Sequence, residues 1–153
     1  MVRRLSRAGA VIVVTAMTAL VVTGLGLGAS SATSKLSAKL DARQEVPKAV
    51  AAKAGVGLFT GTLSQSYGST TITWRLTFSH LSGAATMAHI HLGKPGKAGG
   101  VIVPLCTPCK SGAHGTAKVS GKVVKAIQSG SAYVNVHTAK NPAGEIRGQI
   151  KSG

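Results

Sequence analysis

Residues 71–78, Thr-Ile-Thr-Trp-Arg-Leu-Thr-Phe, alternate polar and apolar side chains without a break. Successive side chains of an extended chain point to opposite faces, so the apolar residues share one face and the polar residues the other. This period of two predicts an antiparallel strand with one buried face. The turn residues 66–69, Ser-Tyr-Gly-Ser, separate it from an apolar stretch at residues 55–63, which predicts a β-hairpin.

The rest of the chain repeats this pattern of short apolar stretches separated by Gly-rich turns. Further strands are predicted at residues 36–40, 87–92, 101–105, 115–119, 132–137 and 145–150. A helix is predicted only at residues 123–129, and residues 33–35 are interpreted as a short polar linker. Regularly spaced short strands are typical of a β-sandwich or barrel. We therefore expect one all-β domain.

The N-terminus has the pattern of an export signal. Residues 1–7 carry three Arg and no acid, residues 8–29 are uncharged and apolar, and small residues follow up to Ala32. We predict a signal peptide at residues 1–32, a mature domain at 33–153, and a secreted or extracytoplasmic location. The alternative is an uncleaved anchor, because the uncharged run is long enough to span a bilayer. After cleavage no transmembrane segment would remain.

The exported chain is expected to be strongly basic. The full sequence has 18 Lys and Arg against three acids, and removal of the signal's three Arg leaves 15 against three, a net charge of +12. This charge favours anionic surroundings, such as cell-envelope polymers or a membrane surface. The Lys residues are scattered and only five residues are aromatic, so we expect no specific binding of nucleic acid. A merely solubilising surface is the simplest interpretation of the charge.

Cys106 and Cys109 lie in the sequence Leu-Cys-Thr-Pro-Cys-Lys. In an oxidising compartment, two such cysteines most simply form a disulfide across one short loop. A thioredoxin-like redox pair would require a βαβ context, which the strand pattern lacks. A zinc site is a further alternative, but it would require two more ligands.

Two of the predicted strands carry histidines on their polar face. His89 and His91 alternate with apolar residues in strand 87–92, and His137 does so in strand 132–137. Two histidines at i and i+2 stand about 6.6 Å apart along a strand, so their rings can converge on a metal at nitrogen distances of about 2 Å. One hypothesis is therefore a mononuclear copper or zinc site formed by His89, His91 and His137, with His114 as a fourth ligand.

A structural role is the alternative for these histidines. Their rings would then hydrogen-bond to the backbone or to Tyr133 and Asn135, which share the face of His137, and would brace the loops. No cofactor is certain from the sequence. His80 follows the strand at residues 71–78, has no evident partner and is expected at the surface.

Glu145 is one of only three acids in the chain. The Pro- and Gly-containing residues 138–144 would fold its strand back against strand 132–137. Glu145 could then orient the ring of His137 as an outer carboxylate, or it could pair with Arg147 on the same face. No catalytic carboxylate pair or Ser-His-Asp arrangement is visible, so we do not expect an enzyme.

Four segments, in this order, resemble the CHRD family, which is named after chordin and includes exported microbial proteins. They are residues 44–47 (Gln-Glu-Val-Pro), 88–93 (Ala-His-Ile-His-Leu-Gly), 133–138 (Tyr-Val-Asn-Val-His-Thr) and 144–150 (Gly-Glu-Ile-Arg-Gly-Gln-Ile). The resemblance implies an immunoglobulin-like, Greek-key β-sandwich or barrel of about 7–9 strands. The resemblance implies no particular activity, because no biochemical function is firmly attached to the microbial members of the family. Glu45, Tyr133, Asn135, Glu145 and Arg147 lie in these segments and are expected to support the fold or the histidines.

A weaker similarity is to copper–zinc superoxide dismutase, a Greek-key barrel in which a His-x-His strand and a later His hold copper. His89, His91 and His137 occur in the same order. The zinc-binding loop with its Asp has no counterpart, so dismutase activity is not expected. The sequence therefore favours a non-enzymatic extracytoplasmic binding or structural module, and a copper- or zinc-binding protein is the alternative.

Overall fold

The computed structural model describes residues 31–50 and 54–153, which form nine strands and one α-helix. These are β1 (Ala32–Asp41), β2 (Val56–Ser66), β3 (Ser69–Ser79), β4 (Ala85–Leu92), β5 (Val101–Cys106), β6 (Ala113–Lys118), α1 (Gly121–Gln128), β7 (Ala132–Thr138), β8 (Ile146–Gln149) and β9 (Lys151–Ser152). Within this part of the chain, no helix has the length and apolar character needed to cross a membrane. The predicted signal peptide lies almost entirely outside the described residues.

All strands belong to one antiparallel sheet. Its order is β5-β4-β7-β8-β1-β2-β3-β6, and β9 pairs with β1. The two end strands of this order, β5 and β6, contact each other, so the sheet curls into a nearly closed barrel. The prediction of an all-β sandwich or barrel is confirmed.

The predicted hairpin is formed by β2 and β3. Ser66 pairs with Ser69, and the two residues between them have positive φ, 46° for Tyr67 and 76° for Gly68. A two-residue turn with both central residues in the left-handed region matches the twist of the flanking strands. The alternation in β3 is also confirmed, because Ile72 and Leu76 are fully buried.

The predicted linker at residues 33–35 is wrong. These residues lie in β1, which pairs with β2 without interruption from Ala32 opposite Gln65 to Asp41 opposite Val56. Main-chain pairing with β2 extends this strand beyond its apolar residues, and a side-chain pattern does not report such pairing. The predicted strand at 145–150 corresponds to β8, which spans Ile146–Gln149, and the short strand β9 follows it at Lys151–Ser152.

Strand β7 is buried on both faces. Val134 and Val136 face the core of the barrel, as their spacing predicts. The opposite, polar face is covered by three connecting segments, residues 42–50, 93–100 and 139–145, whose contacts are described below. The histidine-bearing face therefore lies under loops and not in open solvent.

Cys106, the last residue of β5, is bonded to Cys109 in the loop that follows. The backbone N–H of Cys109 donates to the carbonyl of Ala85 at 3.3 Å, and the Cys109 side chain is buried. The bonded pair thus fixes the loop between β5 and β6 against the start of β4.

Candidate metal centre

Three histidines meet on the covered polar face of β4 and β7. These strands are paired, with Met87 opposite His137 and His89 opposite Asn135. One ring nitrogen from each of His89, His91 and His137 lies within 4.8 Å of the other two. The structure therefore brings together three of the four histidines that the sequence suggests as metal ligands.

The spacing of two of these nitrogens fits a shared metal ion. His89 Nδ1 and His137 Nε2 are 3.3 Å apart. Two nitrogens that each lie about 2.0–2.1 Å from one ion, at a near-tetrahedral angle, are about 3.3–3.4 Å apart. The pair already has the separation that a bound ion would require.

Backbone carbonyls fix the orientation of two rings. His91 Nδ1 lies 2.9 Å from the carbonyl oxygen of Gly99, and His137 Nδ1 lies 3.0 Å from that of Pro142. A carbonyl can only accept, so each Nδ1 carries the hydrogen and each Nε2 presents a lone pair. Metal-binding histidines generally donate their other ring N–H to such a partner.

The Nε2 atom of His91 is buried and has no hydrogen-bond partner among the described residues. A buried acceptor without a partner costs about 1–3 kcal/mol. Because the Gly99 carbonyl holds Nδ1, the ring cannot turn to satisfy Nε2 without losing that hydrogen bond. The centre of this ring lies 5.6 Å from that of His89 and 5.7 Å from that of His137, so a cation bound between the three rings would satisfy the atom.

All three imidazoles favour the neutral form. Burial, with a smaller contribution from the neighbouring His89 and His91, lowers the pKa of His137 to about 4, although the hydrogen bond to the Pro142 carbonyl opposes this shift. Burial also lowers the pKa of His89 and His91, assisted by His91 in the first case and by Arg147 in the second. Neutral rings have the free lone pairs that metal binding requires.

Tyr133 and Arg147 form a stack over His91. The rings of His91 and Tyr133 are 5.0 Å apart and inclined by 14°, and Arg147 Cζ lies 3.5 Å from the centre of the Tyr133 ring. Arg147 is buried, and its Nη2 donates to the carbonyl of Lys94 at 2.9 Å. Gly99 N donates to the Tyr133 hydroxyl at 3.1 Å. The stack thus anchors the segment 93–100, which carries the Gly99 carbonyl.

Glu145 has neither of the partners that the sequence suggests. Among the described residues, its carboxylate accepts hydrogen bonds from Ser82, Thr138 and Asn141 rather than from His137 or Arg147. The expected contacts are therefore wrong: Pro142 orients His137, and Arg147 reaches over Tyr133 instead.

The role of Glu145 is to fix the loop that presents Pro142. Its side chain is completely buried, and the three donors tie residues 138–145 to the segment around Ser82. Burial by itself raises the pKa of Glu145, but the hydrogen bonds from Ser82, Thr138 and Asn141 outweigh it and hold the pKa below its ordinary value. The carboxylate is therefore ionised at neutral pH.

Glu45 covers the same polar face from the segment after β1. Its Oε1 accepts from Asn135 Nδ2 at 3.3 Å and from the backbone of Val46 at 3.1 Å. Burial raises the pKa of Glu45, despite opposing effects that include the charge of Arg147. Gly144 approaches this pair so closely that a Cβ there would clash with both Asn135 and Glu45.

The remaining two histidines lie elsewhere. His114 is exposed on β6, opposite Arg75, and its Nδ1 lies 3.3 Å from the carbonyl of Gly112. It does not belong to the three-histidine cluster, so the structure does not support it as a fourth ligand. His80 is exposed, as expected, and its Nδ1 lies 2.9 Å from Ser79 Oγ.

Several supporting residues were missed by sequence reasoning. The carbonyls of Gly99 and Pro142 leave no mark in a side-chain pattern. Ser82, Thr138 and Asn141 are ordinary polar loop residues until the fold brings them to Glu145. The sequence feature that could have pointed to this hydrogen-bond network is Glu145 itself, because acids are rare in this basic chain.

Comparison with known proteins gives the family but no described relative. No curated protein matches the chain, and no solved structure matches it. A family model described as the CHRD domain matches residues 36–150, which is more than half of the chain and includes every residue of the three-histidine cluster. This protein therefore belongs to the CHRD domain family.

Proposed function

We propose that this CHRD-domain protein is a non-enzymatic extracytoplasmic module that binds a single copper or zinc ion through His89, His91 and His137. The observation that carries the proposal is the convergence of three ring nitrogens within 4.8 Å of one another. Imidazole nitrogen suits both metals. Three protein ligands leave a fourth position for water or another small ligand.

A purely bracing role for the histidines explains less of the geometry. Bracing accounts for the hydrogen bonds of His91 and His137 to backbone carbonyls. It does not account for His91 Nε2, which bracing leaves buried without a partner. A metal ion would engage this atom together with the His89–His137 pair, so the metal hypothesis uses every lone pair of the cluster.

The nitrogen ligands of the site favour copper over zinc in affinity. The three ligands are neutral nitrogens, and the one charge that shifts the pKa of His91 is that of Arg147, which lowers it. The site therefore supplies no carboxylate for a hard cation such as Mg²⁺ or Ca²⁺. For a given set of nitrogen ligands, Cu²⁺ binds more tightly than Zn²⁺. We expect the same order here.

Titration of the metal-free protein with Cu²⁺ and Zn²⁺ tests this function. We expect one equivalent to bind, and His91→Ala to weaken binding by roughly 100-fold or more, because it removes one of three ligands. His114→Ala is the matched control, since it removes an exposed histidine outside the cluster. Sub-stoichiometric binding, or equal affinity in the His91 variant, would refute the proposal.

The extracytoplasmic part of the proposal is supported by the N-terminal pattern and by the bonded cysteine pair. Stable disulfides are typical of exported proteins. Cleavage after Ala32 would leave Thr33 as the first residue, inside β1 and opposite Ser64. N-terminal sequencing of protein recovered outside the cytoplasm should then begin at Thr33, and an intact Met1 on a membrane-bound chain would contradict cleavage.

A further inference from the structure

A shallow groove of about 650 Å³ lies on the outer face of β1, β2 and β3. The strand register determines which residues form the bottom of this groove, which we call its floor. Lys35 on β1 is opposite Thr62 on β2, which is opposite Thr73 on β3. In the next row, Thr60 is opposite Arg75. The floor therefore carries the hydroxyls of Thr60, Thr62 and Thr73 on a regular pleated sheet.

Three exposed cations border this floor. Lys35 and Lys151 lie on the β1 side, where β9 pairs with β1, and Arg75 lies on β3. Neighbouring strands are about 4.8 Å apart, so cations two strands apart and two residues along stand about 12 Å apart at their Cα atoms. The arrangement presents positive charge on both sides of a hydroxyl floor.

No carboxylate side chain offsets this charge. The chain has only three acids. Glu45 and Glu145 are buried under the loops that cover β7, and Asp41 accepts hydrogen bonds from the backbones of Arg43 and Gln44. Within the described part of the chain, no Asp or Glu lines the groove. The three cations leave this surface with an excess of positive charge, and such a surface concentrates anions over it.

The side chains of the groove favour one class of anion. Nucleic-acid strands are generally held by stacking on aromatic rings as well as by charge, and Trp74, the one aromatic lining residue among those described, is only 6% exposed. Insertion into a membrane needs exposed apolar side chains; Val56 and Leu58 are exposed further along β2, but neither lines this groove. Hydroxyls and cations instead match phosphate oxygens.

We propose that this groove binds a linear phosphodiester polymer, with Lys35, Lys151 and Arg75 engaging successive phosphates and the threonine hydroxyls donating to their oxygens. A flexible polymer can lie flat across a sheet surface without aromatic stacking. The inference is independent of the metal centre, which lies on a different part of the barrel, on β4 and β7.

Binding of the full exported protein to poly(glycerol phosphate) tests the proposal. The test variant is the triple substitution Lys35→Gln, Arg75→Gln and Lys151→Gln. The matched control is Lys97→Gln, Lys122→Gln and Lys140→Gln, which removes the same charge from exposed positions outside the groove. Vesicles of phosphatidylglycerol and a single-stranded RNA are run in parallel, all at fixed ionic strength.

We expect the groove variant to lose roughly 100-fold in affinity for poly(glycerol phosphate), since each of the three basic residues near an anionic polymer contributes about fivefold. The control variant should lose much less. Equal losses in both variants would show attraction by net charge alone and would overturn the proposal. It would also be overturned by tighter binding to vesicles or RNA than to the polymer, or by no binding to the polymer.

Discussion

His89 Nδ1 and His137 Nε2 lie 3.3 Å apart, although the two residues are separated by 48 positions in the chain. The distance is set by the pairing of β4 with β7, and each strand contributes its histidines from the face that the loops cover. The contact is a hydrogen bond between the two rings in the absence of metal, and the same separation suits two ligands of one ion.

The stability of the metal-free protein should fall as the pH falls from about 6.5 to about 4. The folded-state pKa of His137 is lowered to about 4 by burial, whereas an unfolded His titrates near 6.5. In this window the unfolded chain binds a proton that the folded chain does not, so unfolding becomes easier. The contribution of His137 to this loss is at most about 3.5 kcal/mol, from about 1.4 kcal/mol per pKa unit.

Urea unfolding at several pH values between 4 and 7 measures this effect. His137→Gln should reduce the pH dependence in that window and leave the part that comes from the lowered pKa of His89 and His91, while His80→Gln, at an exposed position, should leave it as in the wild type. A wild-type stability that does not change between pH 7 and pH 4 would show that His137 titrates normally in the folded protein.

Substitution of Gly99 should damage the site through its backbone. A Cβ at residue 99 would collide with the carbonyl oxygen of Leu92, so Gly99→Ala must displace the carbonyl that holds His91 Nδ1. Loss of a hydrogen-bond acceptor that orients a metal-binding histidine typically costs 10–100-fold in metal affinity. Gly100→Ala is the control, because nothing lies within 4 Å of a Cβ at that position.

Isothermal titration of both glycine variants with Cu²⁺ would separate the two positions. We expect about a tenfold weaker affinity for Gly99→Ala and no change for Gly100→Ala. If both variants bound like the wild type, the Gly99 carbonyl would have no part in orienting His91.

Replacement by Gln should destabilise the protein much more at one of the two buried carboxylates than at the other. Glu145 is ionised and accepts hydrogen bonds from three side chains and one backbone N–H, so Glu145→Gln should lower the free energy of unfolding by about 1–3 kcal/mol. Burial raises the pKa of Glu45, which means that its charged form is disfavoured. Glu45→Gln should therefore stay within about 1 kcal/mol of the wild type.

Chemical denaturation at pH 7 gives both values in one experiment. Each variant is the control for the other, because both remove one carboxylate from a buried position on the loop-covered side of the barrel. A greater loss for Glu45→Gln than for Glu145→Gln would contradict the roles assigned to these two residues.

The Glu145 network should also affect the metal site indirectly. The network fixes the loop whose Pro142 carbonyl holds His137 Nδ1. We expect Glu145→Gln to weaken Cu²⁺ binding by about tenfold while the stoichiometry stays at one. Unchanged affinity in a folded variant would mean that the loop keeps its position without the carboxylate.

The sequence by itself determined the features that depend on local periodicity. The alternation of residues 71–78 identified β3, and the turn at 66–69 identified its hairpin partner. The same period of two placed His89 and His91 on one face of β4 and His137 on the polar face of β7, because successive side chains of any strand point to opposite sides. These features require no knowledge of which strands are neighbours.

Only the tertiary structure decided what surrounds the three histidines. Pairing of β4 with β7 follows a strand order that is not the chain order, and side-chain alternation reports the face of a strand but not its neighbour. The partners of Glu145 and the carbonyls of Gly99 and Pro142 come from loops, whose positions depend on that order. A candidate ligand set could therefore be predicted from the sequence, whereas the exclusion of His114 and the orientation of each ring arise from long-range contacts.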